Sequence, residues 1–406
     1  MRGALQTERL GTLCDMALGK TPARDNSNYW DKARASHNVW LSIADLLGAV
    51  DKQVSDSKEY LSDEGAAVCK LVKAGTLLLS FKLTIGRLAF AGRDLYTNEA
   101  IAALTIRDER RLSKEYLYWY LQFFDWDKAA EGEDKLKGKT LNKEKLGVLE
   151  VHFPSLPEQR RIVALLDDAF EGISTATANA EKNLQNARAV FESEREDALA
   201  FRPGWSEGPL GDLCDIKHGF AFKGEFFTDS GQFVLLTPGS FFEHGGYRDR
   251  GDKQKYYVGE IPDGYLMKKG EMLVAMTEQA AGLLGSPLIV PESWKFLHNQ
   301  RLGLVVPREG RAWVTEFFFH VFNLARVRKE IHDGGTGQKV RHTSPGRICA
   351  VRIAYPDSLV EQRAVAGRLA EVQDASDRLE AIYQQKLDAL DELKKSLLHH
   401  AFSGAL

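Results

Sequence analysis

The 406-residue sequence lacks any apolar run of membrane-spanning length, since no window approaches the roughly 18 uncharged residues that a spanning helix needs. It has only four cysteines, which lie far apart, without a CxxC pair or the paired Cys/His spacing of a zinc site. These shortages predict a cytoplasmic protein with reduced thiols and no structural metal. The chain length favours two or three domains over a single core.

Motifs for catalysis are also missing. The sequence has no Asn/Asp-Pro-Pro-aromatic tetrapeptide, with which adenine methyltransferases hold a flipped base, no glycine-rich nucleotide turn and no G-x-x-x-x-G-K-[ST] phosphate loop. We therefore expect no catalytic residue and no cofactor in this chain. A metal-dependent nuclease is the enzymatic alternative, because Asp125, Asp127, Glu133 and Lys135 form an acidic group near a lysine. A solvated loop is the favoured interpretation of that segment, since no strand pattern supports it.

What the sequence does contain is an internal repeat. "RLGTLCDMALGK" at 9–20 matches "PLGDLCDIKHGF" at 209–220, and "LGVLEVHFPSLPEQR" at 146–160 matches "ICAVRIAYPDSLVEQR" at 348–363. Two blocks between them repeat in the same order, at offsets between 195 and 203. The chain is thus two copies of one unit of about 200 residues. Short apolar runs such as "TLLLSF" and "LGLVVP", interrupted by helical patterns, predict a mixed α+β head in each copy.

Each copy ends in a long amphipathic segment. Its apolar residues recur three and four positions apart, which is a heptad seam and implies a coiled-coil partner. The nearest partner of each helix is the other one, which predicts an antiparallel pair about 60 Å long with a head at each end. Two unrelated helices would explain the seam but not the repeat. The expected seam residues are Ile162, Leu166, Ile173, Leu184, Val365, Leu369, Leu379, Leu390, Leu393 and Leu397.

The net charge of −3 is unevenly distributed. Residues 156–200 carry 5 Lys/Arg against 9 Asp/Glu, and residues 357–406 carry 6 against 9. The remaining regions are therefore slightly basic, which permits a local groove for nucleic acid.

Together these blocks resemble the specificity subunits of type I restriction–modification systems. "GKTPARDNSNYWDKARASHNVWLSIADL" at 19–46 is similar to the Gly-x-Thr-Pro…Tyr-Trp…Trp opening of a target recognition domain, and "HGFAFKGEFFTDSG" at 218–231 to its common variant. The two Glu-Gln-Arg blocks resemble the junctions with the family's helical spacers. The resemblance covers nearly the whole chain. It departs at 131–138, which read "EGEDKLKG" where the second copy has the more family-like "DGGTGQKV" at 333–340.

The resemblance implies four segments: target recognition domain 1 at 1–155 (head one), a central helical spacer at 156–202, target recognition domain 2 at 203–356 (head two) and a C-terminal spacer at 357–406. It implies a non-catalytic subunit that reads a bipartite, asymmetric site in double-stranded DNA. The implied partners are two methyltransferase subunits, which would use S-adenosylmethionine, and restriction subunits, which would use ATP and magnesium. A self-sufficient nuclease or methylase and a scaffold that binds only protein are the alternatives.

Candidate DNA-contacting residues are the polar, basic and aromatic side chains in loops of the matching blocks. In head one they are Lys20, Thr21, Tyr29, Lys82, Thr84, Arg87, Lys135, Lys137, Lys139 and Asn142. In head two they are His218, Phe220, Lys223, Thr277, Gln279, Gln300, Arg301, Thr336, Gln338, Lys339, Arg341 and His342.

Overall fold

The chain divides into two units, one of residues 1–180 with 385–406 and the other of residues 181–384. The structure, a computed structural model, describes residues 5–131, 134–135, 138–279 and 281–403, and from 132 to 140 no side chain is described. No helix in these ranges is long and apolar enough to cross a membrane.

Head one contains thirteen strands and five α-helices within the described residues. In chain order they are β1 (Gln6–Arg9), α1 (Leu10–Leu13), β2 (Cys14–Leu18), β3 (Asn38–Leu41), β4 (Gln53–Val54), β5 (Glu59–Leu61), α2 (Asp63–Ala67), β6 (Leu77–Ser80), β7 (Lys82–Leu83), β8 (Leu88–Ala91), β9 (Tyr96–Thr97), β10 (Ile101–Ile106), α3 (Lys114–Phe123), α4 (Trp126–Ala129), β11 (Asp134–Lys135), β12 (Gly138–Thr140), α5 (Lys143–Gly147) and β13 (Glu150–Phe153). The long helix α6 (Leu156–Ala198) follows.

Head two has a similar succession of elements. They are β14 (Ser206–Pro209), β15 (Cys214–His218), β16 (Phe227–Thr228), β17 (Phe233–Leu235), β18 (Tyr256–Tyr257), β19 (Met272–Ala275), β20 (Thr277–Glu278), β21 (Pro287–Ile289), β22 (Phe296–Leu297), β23 (Leu302–Pro307), α7 (Thr315–Phe322), α8 (Ala325–Asp333), β24 (Arg341–His342), α9 (Pro345–Ala350) and β25 (Arg352–Tyr355). The second long helix, α10 (Leu359–Phe402), ends the described chain.

The two heads share the order of four strands in the main sheet, to which head one adds a fifth strand, β4. The main sheet has the order β2-β10-β6-β8-β4 in head one and β15-β23-β19-β21 in head two. The first and last strands pair in both heads, β1 with β13 and β14 with β25, and so do the short strands β7 with β12 and β20 with β24. The structure confirms the predicted fold class of two similar mixed α/β domains with two long helices.

Continuous apolar runs form the central strands because both faces of the sheet are covered. All four residues of β6 are buried. Leu77 and Leu79 pack in one cluster with α3, and Leu78 packs in another cluster with Val39 and Leu41. Alternate residues of β19 in head two divide between two clusters in the same way. A strand buried on both faces needs no polar alternation, which explains the "TLLLSF" pattern.

A buried glutamine joins α6 to head one. Gln159, the middle residue of Glu-Gln-Arg, has no exposed surface. Its Oε1 accepts the Ser113 N–H at 2.9 Å, and its Nε2 donates to the carbonyls of Arg111 at 2.7 Å and Pro154 at 2.9 Å. Ser113 is the N-cap of α3, so the amide fastens the first turn of α6 to the start of α3.

Gln362 repeats the arrangement in head two. It is fully buried, and its Oε1 accepts the N–H of Val314, the N-cap of α7, at 2.8 Å. Its Nε2 donates to the carbonyls of Ala312 at 3.2 Å and Pro356 at 2.9 Å. The repeated tripeptide therefore marks a helix junction held by a glutamine amide.

Within residues 181–384 the two long helices run antiparallel. Ser376 Oγ donates to the Ala187 carbonyl at 2.8 Å, and Arg188 pairs with Glu380 at 2.7 Å. Further along α6, Glu194 pairs with Arg368, which comes earlier on α10, at 2.5 Å. In the other unit, the ring of Phe402 at the end of α10 packs against α3 aromatic rings 5.5 to 5.6 Å away.

The expected seam residues differ in how deeply they are buried. Ile162, Leu166, Ile173 and Leu369 are buried, and Leu184, Val365, Leu390 and Leu397 are half-buried. Leu379 and Leu393, however, are each 45% exposed, so the expectation that they lie buried in the helix pair was wrong. The less exposed positions fall one residue later, at 380 and 394. An α-helix with 3.6 residues per turn drifts about 20° per heptad from a strict seven-residue repeat, which amounts to nearly one residue over four heptads.

Replacing Gln362 by Leu should destabilise the unit of residues 181–384. The change leaves one N–H and two carbonyl groups buried without a partner, and each unpaired group costs about 1–3 kcal/mol. We expect a loss of roughly 3 kcal/mol or more in the free energy of unfolding, measured by urea denaturation. Arg363→Ala, at the exposed neighbouring position, is the matched control and should change stability little. Equal stability of the two variants would contradict the junction role of the amide.

The corrected seam predicts opposite outcomes for two leucines of α10. Leu369→Asp places a carboxylate among the buried residues that include Phe317 and should cost roughly 3–5 kcal/mol in the same assay. Leu393→Asp lies at an exposed position and should cost about 1 kcal/mol or less. A larger loss for Leu393→Asp than for Leu369→Asp would restore the strict heptad interpretation.

Candidate nucleic-acid interface

The short strand pair β20–β24 brings together candidates that are distant in the head-two sequence. Thr277 pairs with His342, and Glu278 pairs with Arg341. Thr336 and His342 also exchange both backbone hydrogen bonds, at 2.8 and 2.9 Å. The segments that carry Gln279 and residues 336–342 are therefore neighbours on one face of head two.

Head one builds the same pair at the same register. Lys82 pairs with Thr140, and Leu83 pairs with Lys139, through β7 and β12. Lys137 lies outside the described residues, as do the side chains of Lys135 and Lys139. The backbone pairing still brings the segment of Lys82 and Thr84 next to that of residues 138–140.

A second group of candidates lies where β2 and β15 end. In head two, the Phe220 N–H donates to the His298 carbonyl and the Gln300 N–H to the Phe220 carbonyl, both at 2.9 Å. In head one, the Lys20 N–H donates to the Thr97 carbonyl at 2.8 Å, and Thr21 donates its hydroxyl to Glu99. In head one, the end of β2 therefore lies beside the turn that precedes β10. In head two, the end of β15 lies beside the turn that precedes β23.

Exposure separates the candidates into three groups. The exposed ones are Lys20, Thr84, Asn142, His218, Lys223, Gln279, Gln300, Arg301, Thr336, Gln338, Lys339 and His342. The half-buried ones are Thr21, Tyr29, Lys82, Arg87, Phe220 and Arg341, and Thr277 is buried.

Several candidates have partners inside the protein. Arg341 donates Nη2 to the carbonyls of His332 at 2.5 Å and Gly335 at 3.4 Å. Arg87 donates to the Ile43 carbonyl at 3.2 Å, and Asn142 caps α5 by accepting the Lys145 N–H at 2.8 Å. These three side chains shape the loops from within. The exposed side chains therefore carry the prediction of DNA contact, which remains a prediction.

Sequence reasoning missed an aromatic support behind Lys20. Trp40 is 1% exposed and donates its indole N–H to the Lys20 carbonyl at 3.0 Å. Arg24 lies over the rings of Trp30 at 4.1 Å and Trp40 at 4.7 Å and pairs with Glu59. The tryptophans at 30 and 40 were part of the recognised opening, but nothing in that pattern showed that they position a backbone carbonyl.

Histidine 298 supports the corresponding turn in head two. It is fully buried, and its Nε2 lies 3.0 Å from the Leu302 carbonyl, across the turn that carries Gln300 and Arg301. Burial lowers the pKa of His298 to about 4, so the ring is neutral near pH 7. His320, which is 5% exposed, likewise has its pKa lowered to about 4 by burial.

The acidic segment of the nuclease alternative does not form a metal site within the described residues, where no group of three potential ligands occurs. Asp125 caps α4 by accepting the Lys128 N–H at 3.0 Å, and Glu133 lies outside the described part of the chain. Burial raises the pKa of the Cys14 and Cys214 thiols to about 12, which disfavours the reactive thiolate.

A comparison with known protein families finds a match in the N-terminal part of the chain. Residues 4–185 match the family model of the type I restriction modification DNA specificity domain. The chain is 24% identical over 237 residues to the type I restriction enzyme MjaIX specificity subunit of Methanocaldococcus jannaschii, over 52% of each chain. It is 25% identical over 226 residues to the EcoBI specificity subunit of Escherichia coli, over 54% of this chain and 43% of that one. The chain spans about half the length of these relatives.

Solved structures share the fold over the full length. A chain from a structural study of complex assembly and conformational transition of the type I R-M system superimposes with a TM-score of 0.76 at 16% identity, covering 100% of this chain and 98% of that one. The HsdS subunit from Thermoanaerobacter tengcongensis gives a TM-score of 0.56 at 17% identity, covering 99% and 97%.

The two buried histidines predict that head two loses stability in acid. Their pKa values lie below the usual 6.5, so the unfolded chain binds protons first as the pH falls. Stability should be complete above about pH 6.5 and fall towards about pH 4, by on the order of 3 kcal/mol for each ring. His298→Gln, which can still donate to Leu302, should remove part of this loss in urea titrations between pH 7 and 4. His37→Gln, at an exposed histidine, is the control. An unchanged pH dependence in His298→Gln would contradict the burial argument.

Proposed function

We propose that the chain is a specificity subunit of a type I restriction–modification system and that it reads a bipartite, asymmetric target in double-stranded DNA. The observation that carries the proposal is the duplicated β7–β12 and β20–β24 pair. One scaffold presents different exposed side chains at matching positions, with Thr84 in head one against Gln279 in head two. Two domains with the same backbone scaffold but different exposed side chains would recognise two different half-sites.

The chain acts in this proposal without catalysis of its own. It directs adenine methyltransferase subunits, two per complex, and restriction subunits to the target. S-adenosylmethionine would be bound by the methyltransferase subunits, and ATP and magnesium by the restriction subunits. The exposed apolar residues Leu379 and Ile382 on α10, 45% and 56% exposed, support a role of the helical part in protein contact.

Exchange of one head tests the proposal. Residues 1–155 are replaced by the corresponding head of a relative, and methylated adenines are mapped across the genome of a host that carries the partner subunits. We expect one half of the methylated target to change while the other half stays the same, since head two is untouched.

The reciprocal exchange of residues 203–356 is the matched control and should change only the other half. If both halves change together in either exchange, the two heads do not read independently. If the wild-type chain and its partners methylate no defined sequence, DNA recognition itself is refuted. A chain that binds only protein would give this second result.

A further inference from the structure

A buried carboxylate organises the segment that follows β20. Glu278 is 2% exposed. Its Oε2 accepts three successive backbone N–H groups, those of Gly282 at 3.0 Å, Leu283 at 2.9 Å and Leu284 at 3.0 Å. Consecutive N–H groups that converge in this way form an anion-binding concavity, and here the protein's own side chain fills it.

The second oxygen of the carboxylate faces the other half of the candidate DNA surface. Glu278 Oε1 lies 3.2 Å from His332 Nε2 and 3.9 Å from Arg341 Nε. Arg341 in turn donates to the carbonyls of His332 and Gly335, at the end of α8 and just after it. One side chain therefore connects the segment after β20 to the segment that leads into β24.

Loop length explains why head two needs this connection. The same pair of backbone hydrogen bonds closes the loop in both heads, between Ser80 and residues 86–87 in head one and between Ala275 and residues 285–286 in head two. Head two thus encloses a longer loop. Arg328 adds a further constraint by donating to the carbonyl of Gly282, whose φ of +116° suits glycine.

Head one fastens its shorter loop differently. The Ser80 hydroxyl donates to the Thr84 carbonyl at 2.6 Å and accepts the Arg87 N–H at 2.9 Å. At the register of Glu278, head one has Leu83, which is 50% exposed. The carboxylate is therefore a feature of head two and not of the shared scaffold.

We infer that Glu278 is a positioning residue for DNA reading by head two. Its carboxylate holds the loop of Gln279 and the segment of residues 336–342 in one fixed arrangement, so that their exposed side chains face DNA together. A buried carboxylate is tolerated only where it has partners. This one accepts three N–H groups through Oε2, and its Oε1 lies near His332 and Arg341. The inference rests on the proposed function, because it assigns Glu278 to one of the two readers.

Glu278→Gln tests the inference in the full-length chain together with its methyltransferase partners. The amide keeps the shape of the side chain but removes the charge that His332 and Arg341 face. Methylation is measured on targets with single base changes in each half-site, the half belonging to head two having been assigned by the head exchange. One wrong base pair typically lowers binding about 5-fold to more than 100-fold, and we expect this discrimination to approach unity in the head-two half only.

Leu83→Gln puts the same amide at the matching register of head one and is the control, expected to leave discrimination in the head-two half unchanged. Hydrogen exchange of the full-length chain gives the second readout. The amides of residues 282–284 and 336–342 should exchange faster in Glu278→Gln, while those of head one should not. His332→Leu removes the imidazole that lies 3.2 Å from the Glu278 carboxylate and should weaken discrimination in the same half-site. This variant replaces Glu278→Gln in the test if Glu278→Gln fails to fold.

Three outcomes would overturn the inference. The first is unchanged hydrogen exchange at residues 282–284 in Glu278→Gln. The second is faster hydrogen exchange with unchanged discrimination between bases in the head-two half-site. The third is an equal loss of discrimination in both half-sites, which would indicate general damage. Failure of the proposed function is distinguishable, because the wild-type complex itself would then discriminate in neither half.

Discussion

The buried amides of Gln159 and Gln362 are the constraint on which the rest of each unit depends. Each lies in the first turn of a long helix and bonds the N-cap residue of a helix in its head. Each also bonds two carbonyl groups, so three backbone groups at the junction depend on one side chain. A glutamine can donate and accept at once, which neither leucine nor glutamate can do here without leaving a group unpaired.

Fixing the helix to its head leaves the loops as the part of each unit that can differ. The central strands are buried on both faces, so their side chains are committed to packing. The pairs β7–β12 and β20–β24 lie outside the main sheets and have the same register in the two heads. Differences between the two heads therefore accumulate in segments whose changes do not disturb the core.

The sequence predicted the features that depend on periodicity and repetition. The repeat predicted two similar mixed α/β parts, and the helical pattern predicted both long helices, which begin at Leu156 and Leu359. It could not predict contacts that depend on three-dimensional proximity. Glutamine 159 looked like part of a helix start, Arg341 looked free to reach DNA, and Leu393 fitted a strict heptad. In the structure, the amide is buried, the guanidinium points to backbone carbonyls, and the leucine is exposed because the buried stripe follows the ordinary helical period.

The two heads also differ beneath their exposed side chains, and this would limit how the proposed recognition could be transferred between them. In head one a neutral hydroxyl, Ser80, holds a short loop from within it. In head two the carboxyl group of Glu278 contacts both a longer loop and a second segment across the β20–β24 pair. Copying only the exposed residues of one head onto the other would place them on a loop with a different length and a different internal support. Under the proposed function, the structural unit of recognition is therefore the loop together with its buried support, and a transplanted specificity would need both.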